Sequence, residues 1–262
     1  MSDAVHDFGD TLSIGISFVL EKISKKKANL KYSYGYARYS ILGAFITTII
    51  LTVGSIFVII NGINRLISPV IVNYNGMFFI AVIGVLVNFC AMFLTKGGKS
   101  LNQKAVNLHM LEDVLGWLLV LFGAILIKFT NINIIDSILS ICVALFILYN
   151  SFNNLKEILD IFLEKTPKNI KIEEIKNEIV NIKDVIDVHH IHIWTIDGSM
   201  NYITMHVVTN SNKLSELKNM IKNKMKEYNI NHCTIEIETD KEICNEKKCH
   251  CKVDFNHLNH NH

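Results

Sequence analysis

The sequence predicts a bundle of membrane-spanning α-helices followed by a smaller α+β domain. Three observations predict it. Half of the 262 residues are hydrophobic and only 19% are charged, a balance that is unusual for a soluble domain. In the first part of the chain the apolar residues form long uncharged runs separated by basic islands. From about Lys156 onward the composition turns polar and rich in Lys, Asn, Ile and Glu, which marks a soluble domain after the membrane one.

A bilayer core needs about 20 mostly apolar residues per helix. Ala44 to Asn61 and Met77 to Thr95 carry no charge, Val114 to Ile127 is apolar and extends back through Leu108, and Ile134 to Tyr149 carries only Asp136. Each is expected to span, since a chain this short cannot bury four such runs in water. Ser2 to Leu20 is apolar in its second half and is taken as a fifth span because of the motif that it carries. Asp3, His6, Asp7 and Asp10 exclude a cleavable signal peptide there.

The connections set the orientation. The first holds Lys22, Lys25, Lys26, Lys27, Lys31 and Arg38, the next is uncharged over Ser68 to Gly76, the third holds Lys96, Lys99 and Lys104, and the fourth has Lys128 alone. This alternation places the Lys-rich C-terminal domain in the cytoplasm and Met1 outside. The expected organisation is a transmembrane domain over 1–154, a connecting helix or linker over 155–166, a cytoplasmic domain over 167–240 and a Cys/His-rich tail over 241–262. A net charge of only +2 implies no nucleic-acid partner.

Two segments share the pattern H-x-x-x-D: His6 to Asp10 and His109 to Asp113. Residues four apart lie on one helix face, one turn above each other. Two such helices would offer two nitrogens and two oxygens to one point, a set that suits four-coordinate zinc. Ionisable groups at membrane depth are costly and mark ion paths. Asn88 and Asp136 are candidate path residues, with helix packing an equal reading.

The soluble part reads as helix (Ile170 to Ile182), strand (Val185 to Ile196), strand (Tyr202 to Thr209), helix (Leu214 to Tyr228) and strand (Thr234 to Glu238), with Asp197-Gly198 as a hairpin turn. Helices on one face of a small mixed sheet make an α+β sandwich. Histidines collect here: His189, His190, His192, His206 and His232, near Cys233 and Glu238. Cys244, Cys249, His250, Cys251, His257, His260 and His262 follow, residue types that zinc prefers. Cys90 and Cys142 lie in apolar runs and are expected to be core residues. No nucleophile–base pair, phosphate loop or zinc-hydrolase motif is present, so an enzyme is not expected, and no cofactor is implied.

In order and spacing these residues resemble the cation diffusion facilitators, in particular the zinc/cadmium exporters among them. Ser2 to His6 with Asp10 is similar to that family's second transmembrane helix, and Tyr34-Gly35-Tyr36-Ala37-Arg38 to its cytoplasmic loop. His109 and Asp113 resemble its fifth helix, Leu163 to Pro167 its interdomain junction, and Val188 to Trp194 the first strand of its C-terminal domain. The resemblance implies six spans, of which five are visible here and the first has no counterpart in the chain. It implies a transport site of His6, Asp10, His109 and Asp113, zinc as substrate with cadmium or cobalt as looser ones, and protons as counter-ion. It also implies a ferredoxin-like cytoplasmic domain that makes a homodimer, regulatory zinc at His189, His206, His232 and Glu238, and residence in the cell (plasma) membrane. Two alternatives stay open: the same fold exporting manganese or iron, and a membrane metal sensor or buffer that does not transport.

Overall fold

The computed structural model describes residues 2–68, 77–95, 100–130 and 134–240, with residues 2–11 described as backbone only. The Cys/His-rich tail and the side chain of Asp136 lie outside the described residues. The chain divides into two units, with the break at Leu163/Glu164.

The first unit holds α1 (Ser2–Ser24), α2 (Arg38–Ile67), α3 (Met77–Thr95), α4 (Leu101–Thr130) and α5 (Ile134–Phe162). A helix therefore occupies each of the five expected spans. Three stretches among the described residues are long and apolar enough to cross a membrane by length and composition: Arg38–Ile67, Leu101–Gly123 and Ser137–Phe162. The helices overrun the uncharged runs because their polar ends continue the backbone ladder past the apolar stretch. Residues 155–162, expected as a connection, continue α5 without a break. That helix stops where Glu164 takes a left-handed φ of 55° and Pro167 follows.

Side chains in this unit are distributed as lipid requires. Phe18, Phe57, Phe93, Phe122 and Phe146 are exposed on the outside of the bundle. Cys90 and Cys142, expected to be core residues, are also exposed on their helices, since lipid accepts apolar side chains. Small and polar residues are buried between helices: Ser17, Ala44, Thr47, Thr48, Ala105, Ala144, Ser151 and Asn154. Lipid removes any hydrophobic drive for helices to associate, so close approach over small residues and interhelical hydrogen bonds hold them together. Asn154 of α5 donates to Thr48 of α2 at 2.7 Å. Lys104 of α4 pairs with Glu157 of α5 at 2.6 Å. Asn88 spends its amide N–H on Gly84 O within α3, at 3.1 Å.

The second unit contains α6 (Ile172–Val180), β1 (Val185–Thr195), β2 (Asn201–Thr209), α7 (Leu214–Glu227) and β3 (Ile230–Glu238). The sheet order is β1-β2-β3. β1 and β2 form an antiparallel hairpin, and β3 returns parallel to β2 after the α7 crossover. Gly198 takes the left-handed φ of 87° that the hairpin loop needs, and Asp197 Oδ1 accepts from Ser199 N at 2.9 Å. Ile175 and Ile179 of α6 and Leu217, Ile221 and Met225 of α7 repeat at four-residue spacing and pack on Val188, Ile193, Ile203, Met205 and Val207. β3 begins at Ile230, four residues before the expected start at Thr234, because Ile230 already pairs with Asn201. Asn231 and His232 read as loop residues in sequence, yet both are exposed strand residues, since the pairing with β2 skips Asn231 at a register shift.

β1 contains a bulge. His190 has a left-handed φ of 50°, and the pairing shifts register between His189 and His192. An extra residue re-phases a strand whose side chains alternate with period two. Val188 and Ile193 thus both face the helices, although five residues apart, while His189, His192 and Trp194 share the opposite face with His206, Thr204 and Tyr202.

Candidate metal sites in the membrane helices and in the sheet

α1 and α4 touch at their cytoplasmic ends. The Asn102 amide donates to Ser17 O at 3.0 Å and to Glu21 Oε2 at 3.3 Å. The two helices run in opposite directions from this contact, each rising about 1.5 Å per residue. Counted from the backbone contact, Asp10 lies seven residues from Ser17 and His109 seven from Asn102, while His6 and Asp113 each lie eleven from the same two residues. The Asp10 and His109 positions therefore stand at about one depth, roughly 10 Å from the contact, and the His6 and Asp113 positions one turn farther, at roughly 16 Å. His109 is 1% exposed, on a buried line with Asn102 and Ala105, and Asp113 is half-buried. The side chains of His6 and Asp10 lie outside the described residues.

The sheet builds a second cluster on the face away from its helices. His189 and His206 are cross-strand partners, and Glu238 stands on the neighbouring strand, opposite Val208. One ligand atom from each of His189, His206 and Glu238 lies within 4.8 Å of the others. His206 Nδ1 donates to Glu238 Oε1 at 2.5 Å, and His189 Nε2 stands 3.2 Å from Glu238 Oε2. His189 is 7% and Glu238 9% exposed. Both ring nitrogens of His189, and Oε2 of Glu238, have no hydrogen-bond partner among the described residues. A buried polar atom left so costs about 1–3 kcal/mol, which an ion taking nitrogen and oxygen ligands would relieve. This donor set fits zinc.

Asp187 and Glu236 surround the cluster. Asp187 Oδ2 lies 3.3 Å from His189 Nδ1, and Glu236 Oε2 lies 3.3 Å from His206 Nε2. Carboxylates in such positions orient ligand imidazoles. The two-residue spacings Asp187-x-His189 and Glu236-x-Glu238 were the available sequence signal, since alternate residues of a strand share a face. The His190 ring stacks on His206 at 4.8 Å.

The expected ligand His232 stands apart from this cluster, and so does the neighbouring Cys233. His232 pairs with Tyr202, their rings 5.5 Å apart, and is four residues along β3 from Glu236, about 13 Å away. Cys233 points into the core side of the sheet, where burial pushes its thiol up to about 11. It is a neutral thiol at physiological pH and a poor metal ligand.

A bundle of apolar helices with a buried histidine, joined to a small sheet domain that carries a His/Glu cluster, defines an integral membrane protein with candidate cation sites. Comparison with known proteins gives the family. Residues 1–163 match the cation efflux transmembrane domain, and residues 167–240 match the cation efflux protein cytoplasmic domain. The chain belongs to the cation efflux family, the cation diffusion facilitators, which are transporters and not enzymes. It is 32% identical over 248 residues to the cadmium, cobalt and zinc/H(+)-K(+) antiporter of Bacillus subtilis, covering 92% of this chain and 80% of that one. It is 32% identical over 246 residues to the metal cation efflux system protein CzcD of Cupriavidus metallidurans, covering 91% and 77%. With the zinc transporter ZitB of Pectobacterium atrosepticum the identity is 31% over 264 residues, covering 98% and 82%.

Proposed function

We propose that this divalent-cation exporter carries zinc out of the cytoplasm in exchange for protons, through His6, Asp10, His109 and Asp113. The observation that carries this reading is the antiparallel contact of α1 and α4, from which Asp10 and His109 are each seven residues away and His6 and Asp113 each eleven, so that the four positions fall within one turn in depth. Neutral imidazole and ionised carboxylate bind the metal, so binding expels protons and protons arriving from outside compete the metal off. The names of the relatives, which include cadmium, cobalt and zinc exchanged for protons and potassium, support the same reading.

The cytoplasmic unit is read as ferredoxin-like without its first strand: removing that strand from the sheet leaves β2 and β3 as parallel neighbours joined by α7. We read it as the homodimerisation domain. His189, His206 and Glu238 would hold a regulatory zinc, with Asp187 and Glu236 orienting the imidazoles. Bound zinc would supply a fixed positive charge that ties β1, β2 and β3 together on one face and favours one packing of the dimer.

Zinc flux and zinc binding measured on the full chain in proteoliposomes under a pH gradient test the reading. Proton-dependent flux is expected. Stoichiometric binding without flux would instead establish a membrane metal sensor.

A further inference from the structure

α1 carries a polar line beyond the two residues of its motif. His6, Asp10, Ser13, Ser17 and Glu21 follow one another at intervals of four, three, four and four, which keeps them on one helix face. The line ends in a carboxylate that three side chains, from α2 and from the start of α4, grip. Glu21 Oε2 accepts from Ser40 Oγ of α2 at 2.7 Å, from Ser100 Oγ at 3.3 Å and from the Asn102 amide of α4 at 3.3 Å. Ser100 is fixed in turn, its hydroxyl accepting from Gln103 N at 3.2 Å as the cap of α4. One turn deeper, Ser17 Oγ reaches Gly43 O at 3.4 Å and bonds to Thr47 Oγ1. Gly43 permits this approach, since a Cβ there would lie 2.7 Å from Asn102 Oδ1. Ser17, Thr47 and Asn102 are at most 2% exposed, and Ser13, one turn farther in, is fully buried.

This arrangement seals the cytoplasmic ends of α1, α2 and α4 against one another. α1 and α4 are also the helices that carry the H-x-x-x-D pairs. The contact lies between the cytoplasmic surface and those pairs along the seam of α1 and α4. We propose that Glu21 is the cytoplasmic latch of the transport cycle, and that α1 parts from α2 and α4 at this carboxylate to admit the cation. Glu21 is thus a positioning residue: it governs access to the site and is not a ligand in it. The polar character of the contact suits a seal that must open repeatedly. Its donors and acceptor can exchange one another for water at the cytoplasmic surface, which a packed apolar plug cannot do.

The inference rests on α1 and α4 carrying the transport site. Its test reads helix separation directly, without flux, so that the latch and the site can fail separately. Ser13→Cys is introduced into the full chain with its six native cysteines replaced. Its modification by a membrane-impermeant thiol reagent is timed from the cytoplasmic face of inside-out vesicles. With Glu21→Ala the rate is expected to rise at least about tenfold, the scale of losing hydrogen bonds to a charged acceptor. Glu21→Gln, which keeps an acceptor oxygen, should fall between the two. An unchanged rate in folded Glu21→Ala protein would overturn the latch. Should that variant not fold, the Ser40→Ala/Ser100→Ala pair removes two donors and takes the same test with the same two outcomes.

Discussion

The membrane helices and the cytoplasmic sheet both gather histidine and carboxylate, but by opposite geometries. On α1 and α4 the candidate ligands belong to two helices that touch at one end through Ser17, Glu21 and Asn102, and a small change in the helix pair alters their spacing. In the sheet, His189, His206 and Glu238 sit on three hydrogen-bonded strands, and their spacing is set by register. They cannot separate without breaking the ladder. The first geometry suits an ion that must be released on every cycle. The second suits one that is held, and read, at a fixed place.

The largest effects should therefore separate the two regions. His109→Ala should reduce zinc flux by more than about 100-fold, beyond the usual cost of losing an outer-sphere partner, and leave zinc binding by the sheet intact. His189→Ala should remove the sheet's zinc and leave the transport site able to bind it. Flux and zinc stoichiometry measured on the same preparations check both, and parallel losses in the two variants would break the comparison.

The regions should also differ in how they respond to lost apolar volume. Ile221→Ala empties part of a water-driven core and should cost about 2–5 kcal/mol. Phe57→Ala, on an exposed face of α2, should cost far less, because lipid receives the ring as readily as the bundle does. Thermal denaturation followed by signals from each unit would show the contrast.

Smaller effects sharpen the sheet site. Asp187→Asn should weaken zinc binding about tenfold, the lower end for a residue that orients a ligand. His232→Ala should leave that affinity unchanged, since His232 lies beside Tyr202 and away from the cluster. Isothermal titration distinguishes the two. Least of all is the effect of Cys233. Its folded value is raised from 9.0 to about 11. The stability gained by keeping it neutral is complete below about pH 9 and is lost as pH rises toward 11. Cys233→Ala should flatten that alkaline limb of a stability–pH curve and leave zinc stoichiometry as it was.

What the sequence made legible follows from how each element signals. Long uncharged runs announce helices in lipid, and the H-x-x-x-D spacing announces a shared face, so the five helices and the residues of interest on them were readable. The order of α6, β1, β2, α7 and β3 was equally plain from alternation and helical period. The bulge at His190 was not, because a run of three near-adjacent histidines does not say which ones share a face once the period slips. The strand start at Ile230 was hidden by two exposed polar residues at a register shift. Glu21 and Asn102 were missed because a lone carboxylate or amide near a helix end looks like an interfacial residue until its partners on other helices are seen.

The most direct test of the central claim is a double-mutant cycle on the carboxylates of the two H-x-x-x-D pairs. pH-gradient-driven zinc flux is measured in proteoliposomes for the unaltered chain, Asp10→Ala, Asp113→Ala and the pair. If one site is shared between α1 and α4, each single variant abolishes flux and the pair is no worse than either, the non-additivity of residues that act as a unit. Flux that survives Asp10→Ala but not Asp113→Ala would contradict the account, because it would place the transported ion on α4 alone.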